Sequence, residues 1–190
     1  MALLPSNVTP NQVYAIIEHE DFSVFHRLMK KELGIEDIDY RFATGELAEG
    51  EDGYFDIRTN ARTKFLESWE GVEKITFLGE GLSHNVNLKF SKLPREAFLA
   101  AVEICIKFAL VHELVHVRQF KAGVLTKQKM KELQQVPYEK RDIEIEANTI
   151  AKEILNRYGK YNAKVLEILT SNESIDNINL AEISRLFEEQ

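Results

Sequence analysis

Between Pro94 and Gly123 the chain carries its longest apolar run, Ala97 to Val117, and that run encloses His112, Glu113 and His116. Proline suits the first turn of a helix and glycine the position just past its end, so the run reads as one buried helix. On such a helix the two histidines, four residues apart, project from one face about 5–6 Å from each other. Imidazole nitrogens at that spacing can reach one metal ion at about 2.0–2.1 Å each. Glu113 stands about 100° round the helix, where its carboxylate reaches a water on the ion rather than the ion itself. Burying two imidazoles and a carboxylate among Leu, Val and Phe costs several kcal/mol unless they find strong partners. Two core histidines bonded to carbonyls are the plain alternative. A metal ion is the stronger partner.

Composition limits what surrounds this helix. A chain of 190 residues, 44% of them hydrophobic, can bury a core as one domain. We expect a single domain over 1–190 with its core at about 74–158. The net charge of −7 comes without a basic stripe to neutralise phosphates, so no nucleic-acid partner is expected. The lone Cys105 excludes an internal disulfide and a cysteine-based zinc cluster, and it suits a reducing compartment. It precedes His112 by seven residues, about 10 Å along the helix, too far to share its ion. Met1–Pro5 offers no signal peptide, and Glu103, Lys107, His112 and Glu113 interrupt the apolar run, so no membrane span is expected and the protein reads as cytoplasmic.

Thr9 and Pro10 open an N-terminal helical segment over about 10–34, with Val13, Ile16, Ile17, Val24, Phe25, Leu28 and Met29 at helical spacing. Asp21 allows one bent helix or two short ones. Residues 35–60 read as short irregular strands with an acidic loop at 46–53. Lys74–Leu78 and His84–Phe90 read as a strand pair joined by a wide loop, the second alternating Val86, Leu88 and Phe90 with polar neighbours. Past Gly123 a polar helical connector covers about 126–135. A second long helix runs from about Glu139 to Tyr158, stopped by Gly159, with Ile143, Ala147, Ile150, Ala151, Ile154, Leu155 and Tyr158 as its buried stripe. Short helices over about 163–169 and 180–187, within 161–188, close the chain. The expected class is α+β: a small twisted antiparallel or mixed sheet packed on the central helix, with extra helices at both ends.

A catalytic zinc takes three protein ligands and leaves a position for water. No histidine follows His116, and the cysteine is excluded, so the third ligand must be a carboxylate on the second helix, where Glu144 and Glu146 stand. With Glu144 at zero and about 100° per residue, the buried stripe centres roughly 60° away and Glu146 falls about 200° away. Glu144 therefore faces inward and Glu146 outward. Asn148, one turn on from Glu144, can orient one of the histidines through its outer ring nitrogen.

The pattern His112-Glu-Leu-Val-His116 on one helix and Glu144-Ile-Glu-Ala-Asn148 on the next resembles the gluzincin metallopeptidases, in particular the compact bacterial and phage group of the ImmA/IrrE type. The resemblance covers roughly Lys74 to Tyr158. It implies a twisted sheet on the HExxH helix, zinc held by His112, His116 and Glu144, Glu113 as general base, Asn148 behind a ligand, and an extended peptide laid along a sheet edge.

The chemistry expected is zinc-dependent hydrolysis of a protein or peptide, with Glu113 moving the proton. Tyr138, Arg141, His84 and Tyr158 are the candidates to stabilise the oxyanion, and the polar side of His84–Phe90 suits the substrate-pairing edge. A zinc-binding interaction module with the same fold is the competing reading. A purely structural site has no use for a base at Glu113.

Overall fold

The first helix begins at the cap the sequence supplies: the Thr9 hydroxyl accepts from the Gln12 amide, and the Gln12 side chain accepts from the Thr9 amide. The computed structural model describes residues 6–45, 59–159 and 162–170. In it this helix (α1, Pro10–Ile17) is separate from the next (α2, Glu20–Glu32), because His19 caps a fresh start by accepting from the Asp21 amide. Of the two arrangements open at Asp21, the chain takes two short helices.

At the junction of α2 with the following strand, His26 Nε2 and the Tyr40 hydroxyl share a hydrogen bond of 2.6 Å. Burial, with Lys30 and Arg27 beside it, pulls the His26 pKa down to about 4. A histidine harder to protonate folded than unfolded contributes its stability in full above the ordinary value of 6.5, and that contribution is lost as pH falls toward 4. We expect about 1–2 kcal/mol to disappear across that window, half-burial discounted, and His26→Gln to remove this component from the stability-against-pH curve.

Three strands form the sheet: β1 (Arg41–Gly45), β2 (Ala61–Phe65) and β3 (Val72–Leu78), in the order β1-β3-β2. β1 runs parallel and β2 antiparallel to β3, giving the small mixed sheet and the α+β class. One expectation fails here. The hairpin partner of β3 is β2 upstream, not His84–Phe90, which belongs to a helix (α3, Gly79–Phe90). Val86 and Phe90 are spaced for one face of either a strand or a helix. Leu82, fully buried one turn earlier, decides for the helix, and Leu88 is left 51% exposed. The Asn87 amide then bonds both the N–H and the carbonyl of Val8, tying α3 to the N-terminal segment.

The start of α3 is sterically tight. A Cβ on Gly79 would run into the Tyr14 ring, whose hydroxyl donates to the Gly45 carbonyl and accepts from the Gly79 amide. Gly79→Ala must displace that ring, so we expect a loss of about 1–3 kcal/mol in denaturant unfolding. An unchanged midpoint would mean that the ring yields freely.

The central helix (α4, Arg95–Lys121) is entered from Pro94 and left at Gly123, whose φ of +71° suits glycine at a helix end. From Phe108 to Val117 every residue is buried. β2, α1, α2, α3 and two later helices all pack against it, which is why apolar residues surround it instead of forming one stripe. Cys105 is part of this core, its thiol pushed up to about 12 by burial and so unreactive.

After α5 (Lys127–Leu133), Pro137 leads into one turn of 3₁₀ helix, Tyr138–Lys140. The second long helix (α6, Asp142–Tyr158) therefore starts at Asp142 rather than Glu139, which places Glu144 in its first turn. Its buried stripe is Ile143, Glu144, Ala147, Ala151, Ile154 and Leu155, while Tyr158 is half exposed. α7 (Asn162–Thr170) packs on α4 and α6. The expected acidic loop at 46–53 and helix at 180–187 lie outside the described residues. No helix among those described is long and apolar enough to cross a membrane.

Candidate metal centre

α4 presents His112 and His116 to the first turn of α6, and Glu144 meets them there, each residue about 8% exposed. The two Nε2 atoms are 3.1 Å apart, and Glu144 Oε2 lies 3.2 Å from the first and 3.3 Å from the second. Donor atoms about 2.0–2.1 Å from a tetrahedral ion stand roughly 3.3–3.4 Å from each other. The triangle has nearly that edge.

The outer nitrogens of both rings are held. Gln119, one turn beyond His116 and only 3% exposed, gives its Nε2 hydrogens to the Ile143 carbonyl and to Glu146 Oε2, each at 2.9 Å. Two acceptors there fix the amide orientation, so Gln119 Oε1 faces His116 Nδ1 at 2.8 Å and takes its hydrogen. Asn148 Oδ1 does the same for His112 Nδ1 at 3.1 Å. With Nδ1 engaged in this way, each ring turns its Nε2 toward Glu144 Oε2, a buried oxygen with no hydrogen-bond partner. Three lone-pair atoms aimed at one point repel each other unless a positive charge sits among them. The donor set fits a divalent ion.

The electrostatics agree. Burial alone would raise the Glu144 carboxyl, but the facing imidazoles outweigh it and hold the group well below the usual carboxylate range. Burial alone would lower His116, but Glu144 and the charge of Glu113 push it up. This cluster attracts a cation, either a proton or a metal.

Glu113 is buried beside the triangle, and its carboxylate is turned toward β2, where Oε2 accepts from the Thr63 hydroxyl at 2.7 Å. Of the four oxyanion candidates, Tyr138 reaches the site. Half of its side chain is exposed, yet loss of solvent at the hydroxyl, and the charges of Glu144 and Glu113, push its pKa upward. Arg141 supports it, with the guanidinium 5.7 Å from the Tyr138 ring centre and Nε donating to the Val136 carbonyl. His84 stands exposed on α3, and no described contact ties it to the cluster. Tyr158 packs on Phe25 at the far end of α6, about 21 Å along the helix from Glu144.

Glu146 is on the exposed side, as helix geometry indicates, but it also anchors Gln119. The sequence reading missed two residues of the site. Gln119 was open to discovery, since a position three residues after His116 lies over the same face. Thr63 was not, because its place depends on how β2 pairs. Searched against protein families, curated proteins and solved structures, the chain has no match.

Proposed function

We propose that this protein is a zinc-dependent metallopeptidase of the gluzincin kind. The observation that carries the reading is the convergence of His112, His116 and Glu144 on one point with Glu113, a buried carboxylate outside the triangle, beside them. His112, His116 and Glu144 would hold the zinc, which when bound supplies Lewis acidity toward a water and toward a peptide carbonyl. Glu113 takes a proton from that water and returns it to the leaving amine, so that one water is added across the peptide bond. The Tyr138 hydroxyl donates to the oxygen that gains charge. Asn148 and Gln119 keep both rings in the tautomer that exposes Nε2.

His84–Phe90, being helical, cannot offer an edge to a substrate. β2 can: it is an outer strand with no partner beyond it among the described residues, and Thr63 places it beside Glu113. An extended peptide pairing there would pass over the base. Elemental analysis of the purified protein should find about one zinc per chain, and a digest of proteome-derived peptides should show cleavage that a chelator stops. Zinc without cleavage would leave a metal-binding interaction module, and no metal would remove both.

A further inference from the structure

We infer that Thr63 is a positioning residue for the base: its hydroxyl holds one oxygen of Glu113 so that the other is presented to the reacting water. This rests on the metallopeptidase reading and adds a residue to it. Thr63 lies on β2, with its side chain on the sheet face that includes Ile75 and packs on α4. Its hydroxyl has two acceptors in range, the Glu113 carboxylate at 2.7 Å and the Glu113 main-chain carbonyl at 3.4 Å. A hydroxyl carries one hydrogen, and the shorter contact to the charged group takes it.

On its own helix Glu113 has the fully buried, apolar Leu110, Leu114 and Val117 beside it, while His116, one turn on, is turned to Glu144; the hydrogen bond that holds the carboxylate comes from Thr63 on the strand. A free carboxylate a few ångströms from a cation would turn and bind it. Held by Thr63, Oε2 is committed to the strand. The same bond joins the edge on which a peptide would lie to the group that activates the water.

The test compares Thr63→Val, which keeps shape and removes the hydroxyl, with Thr63→Ser, which keeps the hydroxyl; Thr63→Ala serves if the valine variant does not fold. With zinc at about one per chain in all, the valine variant should lose roughly 10–100-fold in kcat with KM little changed, and serine should recover most of it. Loading with cobalt(II) gives a readout independent of turnover. The wild type and serine variant should share one visible spectrum, and the valine variant should differ as Glu113 joins the metal. Wild-type kcat and an unchanged cobalt spectrum in the valine variant would overturn the role of Thr63 while leaving the peptidase reading intact. A wild type that neither binds metal nor cleaves peptide overturns both.

Discussion

Glu113→Gln should abolish peptide hydrolysis while zinc content stays near one per chain. The substitution keeps the volume of a side chain only 7% exposed, so the core around it does not have to move. The amide oxygen can still accept from the Thr63 hydroxyl, and the NH2 group then occupies the place of the second carboxylate oxygen. That group cannot take a proton from water. General-base catalysis supplies about 10²–10⁴-fold of rate, and activity should fall by at least that range. The ligand triangle is untouched, because none of its three distances involves Glu113. Metal lost together with activity would move Glu113 into the ligand set. Activity retained would assign the base elsewhere.

The central helix and the placement of its two histidines were legible because both are local. Pro94 and Gly123 bound the run, and the four-residue spacing of His112 and His116 places both rings on one face whatever the rest of the fold does. Glu144 was legible for a related reason: the stripe of Ile143, Ala147, Ala151 and Leu155 sets which side of α6 is inside. What failed was a segment where two periods coincide. Val86 and Phe90 satisfy alternation and helical spacing alike, and the decision lay in Leu82, outside the window that looked like a strand. β2 was hidden differently. Ala61, Thr63 and Phe65 alternate with Arg62 and Lys64, so the strand pattern was present. Its pairing with β3, and hence the contact of Thr63 with Glu113, is a long-range fact that no short pattern contains. Gln119 shows the intermediate case, local in spacing but given its role by Ile143 and Glu146 on another helix.

Glu144→Ala tests the geometry on which the rest depends. It leaves two imidazoles, and a site with two protein ligands should lose zinc affinity by more than the roughly 10–100-fold that removal of an outer hydrogen-bond partner costs. Glu146→Ala should sit at the other extreme, below tenfold, although its carboxylate also reaches the cluster through Gln119. The reason is that Gln119 keeps its second hydrogen on the Ile143 carbonyl, so the amide stays oriented and His116 keeps its tautomer. Gln119→Leu removes that orientation and should fall between the two. Thermal unfolding adds a check that needs no substrate. Zinc at about 100 times its dissociation constant contributes about 2.7 kcal/mol to the folded state, which in a chain of this size is on the order of 5–10 °C. A chelator should lower the wild-type midpoint by that amount and leave Glu144→Ala unmoved. If instead Glu146→Ala sheds the metal and Glu144→Ala keeps it, the inward carboxylate is not a ligand, and the triangle of 3.1–3.3 Å contacts is only a proton-sharing knot in the core.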